Sequence, residues 1–264
     1  MAVIRDLMVV LDGSAAGEVR LKVAAALAQQ HEAHLTAFFA LDLLMTHDDI
    51  QPADQAERLE VTFHEHLRDH GLKGDWHEAS GNVGEAVVRQ ARQADLVILG
   101  QVDPEHPPSS ENRHLLENVL TTAGRPILLI PYIGRCGTVG TKILVGWNDT
   151  REATRAVNDA IVLMAHAHSV TVLTLYPEGR TSERGAGTSA GIVHHLARHG
   201  IVAQSAQMAV SISPASALLS YGADLNADLL VVGGYGHSQL RRIMLGGVTR
   251  ALLRHMIMPM LMSH

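Results

Sequence analysis

The feature that most constrains this chain is that it repeats itself once. His66-Leu-Arg-Asp-His-Gly71 recurs as His195-Leu-Ala-Arg-His-Gly200, and Asp95-Leu-Val-Ile-Leu-Gly100 recurs as Asp228-Leu-Leu-Val-Val-Gly233. Arg125-Pro-Ile-Leu128 recurs as Met258-Pro-Met-Leu261, and Leu7-Met-Val-Val-Leu-Asp-Gly-Ser14 as Ile143-Leu-Val-Gly-Trp-Asn-Asp-Thr150. Four segments return in the same order at offsets of 129, 133, 133 and 136 residues. A period this long is a whole duplicated domain rather than a solenoid unit. The 264 residues divide into domains over 1–135 and 140–264, with glycines at 134, 137 and 140 marking the linker.

Each half alternates short apolar runs with helical patterns. In the second half Lys142–Trp147 predicts a strand buried on both faces. Asn148, Asp149 and Thr150 offer N-caps to a helix over 151–166, whose Ala153, Val157, Ile161 and Met164 recur at helical spacing. Strands follow at 170–176, 201–210, 229–232 and 258–262. Helices are expected before Gly200, over 214–226 and over 246–256, and a Gly/Ser/Thr-rich loop over 179–191. The first half gives strands near 5–11, 34–41, 73–79, 95–100 and 126–131. Alternating β and α with fully apolar strands predicts an α/β chain of two Rossmann-like, doubly wound parallel-sheet domains. Ligands of such sheets lie beyond the carboxyl ends of the strands, so the residues after strands one and four matter most.

Composition narrows the chemistry. A net charge of -6 and nine aromatic residues do not suit a nucleic-acid binder, which needs a basic face or a stacking platform. The single cysteine, Cys136, excludes a disulfide framework, a cysteine-rich zinc site and a CxxC pair. No apolar run reaches the length of a membrane span, and Arg5 and Asp6 interrupt any signal-like segment, so a cytoplasmic protein is expected. Of the 17 histidines, His64/His66 and His166/His168 stand two apart and His194/His195 are adjacent; on a helix a spacing of two points to different faces, so surface or capping histidines and no metal site are expected. Protonating all 17 would take the charge from -6 to +11, an unspecific response to acid.

After strand four of the second half comes Gly233-Gly-Tyr-Gly236, then nine residues, then Gly246-Gly247-Val-Thr249 at a helix start. Glycines there let the backbone approach a ligand, and free N–H groups at the helix start suit a phosphate. The same glycines also suit simple turns. No GxxxxGK[ST] loop is present, so P-loop NTPase chemistry is not supported. After strand one stand Asp12-Gly13-Ser14 in the first half and Asn148-Asp149-Thr150 in the second, either as ligand contacts or as helix N-caps. His237, Arg241 and Arg242 would add positive charge near a phosphate.

The strand order, the D-G-S after strand one and the G-x2-G-x9-G after strand four resemble the universal stress protein family, here as a tandem covering the whole chain. The resemblance implies an adenine-nucleotide-hydrolase-like fold in both halves. It implies ATP, with Mg²⁺ as its companion, along the strand ends of the second domain. Gly233, Gly236, Gly246, Gly247 and Thr249 would hold ribose and phosphates, Asn148 would stand at the acidic position beside Thr150, and Asp12, Ser14 and His237 are secondary candidates. It also implies that the last strands pair within the chain as a pseudo-dimer, with further homodimerisation open and a protein partner undefined.

Two positions depart from that pattern. Gly247 stands where the family's nucleotide binders carry Ser or Thr, and Asn148 replaces an acid. Two lost hydrogen bonds cost roughly 1–3 kcal/mol, or about tenfold in affinity, which weakens a site without abolishing it. The first domain departs further: Asp103 stands at the second glycine's place, Glu105 follows, and Arg113 and His114 lie opposite Gly246 and Gly247. Its phosphate site is expected to be lost. No GxSxG and no nucleophile–base pair appears, so the chain is expected not to be an enzyme, with at most slow ATP hydrolysis. The expected role is a stress-linked nucleotide-binding sensor; the alternative is a nucleotide-free scaffold acting through protein contacts.

Overall fold

A computed structural model describes residues 3–40, 52–79, 82–105, 114–133, 137–179, 183–235 and 247–264. They form two compact units, Val3–Gly137 and Thr138–His264. The N-terminal unit runs β1 (Asp6–Leu11), α1 (Ala15–His31), β2 (His34–Ala40), α2 (Pro52–His70), β3 (Gly74–Ala79), α3 (Val83–Ala91), β4 (Leu96–Gly100), α4 (Leu115–Thr122), β5 (Ile127–Ile130). The C-terminal unit runs β6 (Lys142–Gly146), α5 (Arg151–Met164), β7 (Ser169–Pro177), α6 (Glu183–Arg198), β8 (Ala203–Val210), α7 (Pro214–Asp224), β9 (Leu229–Gly233), α8 (Gly247–His255), β10 (Met260–Ser263).

Within each unit every strand pairing is parallel. The order is β3-β2-β1-β4-β5 in the first unit and β8-β7-β6-β9-β10 in the second. The chain leaves β1 in one direction for β2 and β3, then crosses back to β4. The topological switch point therefore lies between β1 and β4, and between β6 and β9 in the second unit. Central strands are apolar because helices cover both faces: Leu7, Val9, Val97, Ile98, Leu144, Val145, Leu230 and Val231 are buried.

Repeated motifs have local structural causes. Asp95 accepts hydrogen bonds from the Arg5 and Asp6 amides, and Asp228 from the Thr141 and Lys142 amides. Each aspartate ties the entry of its unit's first strand to the entry of its fourth, at the edge opposite the switch-point crevice. Gly71 and Gly200 adopt positive φ just past α2 and α6. There Leu72 N–H donates to Leu67 O and Ile201 N–H to Leu196 O, so both helices end in the same left-handed turn.

One expectation fails. The segment over 179–191 is not a loop, because α6 begins at Glu183. Helix propensity of small residues is overridden by packing on the sheet. Ser189 is buried, and its hydroxyl accepts from Ser205 of β8 at 3.0 Å, an approach that a larger side chain would prevent.

Candidate nucleotide site

In the C-terminal unit, Asn148 and Thr150 follow β6 and Gly233 ends β9, on neighbouring strands. Thr150 caps α5: its hydroxyl accepts from the Ala153 amide at 3.2 Å and donates to Asn148 Oδ1 at 2.8 Å. The proton of that hydroxyl is committed, while Asn148 keeps its amide N–H₂ for another partner. A Cβ at Gly233 would lie 2.5 Å from Ala153 N and 2.6 Å from Glu152 C, so this glycine is what lets the first turn of α5 sit on β9. Thr249, buried in α8, accepts the Tyr235 amide at 3.2 Å and retains its own O–H for donation. Gly247 opens α8, and among the described residues nothing lies within 4 Å of where its side chain would stand. His264 Nδ1 donates to Gly234 O at 3.1 Å, and its ring meets Tyr235 edge-on. Gly236, Gly246, His237, Arg241 and Arg242 lie outside the described residues.

The strand register adds what the sequence did not suggest. Gly146 is level with Leu173 and Val232, and Gly233 with Ser263. The next row toward the carboxyl ends is therefore Thr174, Trp147, Gly233 and Ser263, across four adjacent strands. Side chains of one row share a face, and Gly233 shows that this face meets α5. Thr174 Oγ1, Trp147 Nε1 and Ser263 Oγ are all buried without a hydrogen-bond partner among the described residues. Each unmet buried polar group costs roughly 1–3 kcal/mol. The row thus holds hydrogen-bonding capacity that the described residues do not use.

The corresponding row of the N-terminal unit is Phe39, Leu11, Gly100 and Ile130, which is apolar apart from the glycine. What stands over it is Arg20, on the largely apolar buried face of α1 with Leu21, Ala24 and Ala28. Arg20 is 3% exposed, and its Nη2 lies 2.6 Å from Asp12 Oδ2. A Cβ at Gly100 would overlap the guanidinium, so Gly100 gives Arg20 its room. Asp12 Oδ1 also accepts the Ser14 hydroxyl at 2.6 Å and the Ser14 amide at 3.1 Å, and the Ser14 hydroxyl caps α1 at Gly17 N. Burial pushes the Asp12 carboxyl up, but the Arg20 charge and the hydrogen bonds from Ser14 and Arg20 outweigh it and hold it below the usual carboxylate range. Asp12 and Ser14 are thus brought together around an internal cation. In the second unit the repeat places Asn148 opposite Asp12 and Ala156 opposite Arg20. Arg20 was detectable in the sequence as a lone cation in an Ala/Leu/Val stripe.

Residues 141–264 match the sequence profile of the universal stress protein family. The chain resembles a solved universal stress protein from Archaeoglobus fulgidus over 98% of its length and 97% of that chain, with a TM-score of 0.75 and 14% identity. It also resembles a putative universal stress protein from Pseudomonas aeruginosa over 98% of its length and 93% of that chain, with a TM-score of 0.66 and 18% identity. No curated protein matches the sequence. At such identities the solved structures speak for the fold, and the profile speaks for the C-terminal unit. The C-terminal unit belongs to the universal stress protein family, and the chain carries that family's fold in tandem.

Proposed function

We propose that the C-terminal unit binds an adenine nucleotide with Mg²⁺ and that the N-terminal unit does not, because Arg20 already occupies its crevice. The observation that carries this reading is the contrast between the two rows: polar and unpartnered at Thr174, Trp147 and Ser263, apolar and covered at Phe39, Leu11 and Ile130. Thr249 and the amides opening α8 provide donors for phosphate, and the family resemblance supplies the adenine nucleotide as ligand. The reading is one of binding rather than turnover, in a cytoplasmic, stress-linked sensor. The engagement of Thr150 with Asn148 favours the second reading, a nucleotide-free scaffold, because it removes one expected ligand contact.

Gly247 separates the two. A side chain there meets no described residue within 4 Å, so substitutions bear first on the ligand. Calorimetric titration with Mg-ATP is expected to show binding by the wild type, tighter binding by Gly247→Ser and none by Gly247→Glu, whose carboxylate would face the phosphates. Absence of binding by both wild type and Gly247→Ser would overturn the nucleotide reading in favour of the scaffold.

A further inference from the structure

The repeated segments His66-Leu-Arg-Asp-His-Gly71 and His195-Leu-Ala-Arg-His-Gly200 share four residues. The fold explains two of them: Leu67 and Leu196 are buried, and the glycines take the left-handed conformation that ends the helix. It does not explain why both units also keep two histidines four residues apart. That spacing, unlike two residues, puts both rings on one helix face. The rings are neighbours in both units, with centroids 5.9 Å apart for His66 and His70 and 4.7 Å apart for His195 and His199.

We propose that each unit carries a two-histidine chelate for a divalent transition-metal ion at the end of its second helix, formed by His66 with His70 and by His195 with His199. The remaining coordination positions would be open to water. The geometry fits such an ion. A metal about 2.0–2.1 Å from each ligating nitrogen sits about 3.2 Å from each ring centre, so two rings at right-angled to tetrahedral placement have centroids about 4.5–5.2 Å apart. The C-terminal pair already stands at 4.7 Å. The N-terminal pair, at 5.9 Å with its ring planes 30° apart, has to close by roughly 0.7 Å and turn its rings before two nitrogens converge on one ion.

Hydrogen bonding prepares the ligands. His70 Nδ1 lies 2.9 Å from the His66 carbonyl oxygen, which only accepts, so Nδ1 carries the proton and Nε2 presents its lone pair. His66 Nδ1 and His195 Nε2 are buried with no hydrogen-bond partner among the described residues. Neutral imidazole is the metal-binding form. Imidazole pairs favour Cu²⁺, Ni²⁺ and Zn²⁺ over Mg²⁺ or Ca²⁺, with Cu²⁺ tightest.

The test is a calorimetric titration of Cu²⁺ into the full chain, free of any affinity tag, for the wild type, His70→Ala, His199→Ala and the double variant. Each single variant is expected to lose one tight site and the double variant both. The loss of affinity should exceed the roughly 10–100-fold that removing an outer-shell partner costs. Circular dichroism confirms that each variant is folded, and a metal-induced rise in Tm should appear in the wild type and vanish in the double variant. A double variant with the stoichiometry and affinity of the wild type would overturn the proposal. Loss in one single variant only would overturn it for the other unit.

Discussion

Arg20 offers the sharpest perturbation. Replacing it with Ala removes a cation that is 3% exposed and leaves Asp12 with its side chain 23% exposed and no counter-charge. Opening a buried ion pair from one side costs about 3–5 kcal/mol, and the residual exposure of Asp12 puts this case at the lower end, about 3 kcal/mol. With a slope of about 2 kcal/mol per molar urea, the unfolding midpoint of the N-terminal unit should fall by about 1.5 M. The two tryptophans make the measurement selective. Trp76 in β3 stacks on Phe39 in the N-terminal unit, and Trp147 follows β6 in the C-terminal unit. The transition seen by Trp76 in a Trp147→Phe chain should shift, and that seen by Trp147 in a Trp76→Phe chain should not. The repeat itself supplies the rescue: Asp12→Asn together with Arg20→Ala reproduces Asn148 and Ala156, and should recover more than half of the loss, because no uncompensated carboxylate remains. A single variant within about 0.5 kcal/mol of the wild type, or a double variant as unstable as the single, would refute the view that Arg20 and Asp12 form a coupled internal pair.

Other consequences follow from the same geometry. The folded-state pKa of Asp12 lies below its ordinary value, so its stabilising contribution is complete above about pH 4–5 and is lost as pH falls toward the folded value; acid unfolding monitored by Trp76 should show this loss in the wild type and not in Asp12→Asn/Arg20→Ala. Ser263→Ala removes an unpartnered buried hydroxyl, so the ligand-free protein should gain about 1 kcal/mol by denaturant titration and lose Mg-ATP affinity; destabilisation would mean that the hydroxyl has a partner. Two glycines of one motif should behave oppositely: Gly233→Ala drives a Cβ against the α5 backbone and should cost about 1–3 kcal/mol, whereas Gly247→Ala, with no described residue within 4 Å, should be tolerated. Gly247→Ser should tighten Mg-ATP binding by about 2–10-fold, the worth of one hydrogen bond.

The fold was legible because its signals are local. Apolar runs such as Leu96–Leu99 and Leu229–Val232 admit little but buried parallel strands, and the repeat fixed the division into two units. The error over 179–191 came from reading small polar residues as a loop when Ser189 is small in order to pack. The site was less legible, because its deciding features are relations between distant residues. Asp12 reads in sequence as a ligand contact or a helix N-cap, and only the approach of Arg20, in the room that Gly100 leaves, shows that it holds an internal cation. Thr174, Trp147 and Ser263 carry no motif and become one row only through the register of parallel strands. Gly233 matches a phosphate-loop pattern, yet its neighbours show a packing requirement.

The most direct test of the account asks which unit responds to nucleotide. Mg-ATP should be titrated into two full-length chains that each retain one reporter, Trp76→Phe and Trp147→Phe, while fluorescence is followed. The account predicts a saturable change from Trp147, beside its unpartnered row, and none from Trp76. A response from Trp76, or from neither in a chain that remains folded, would contradict it.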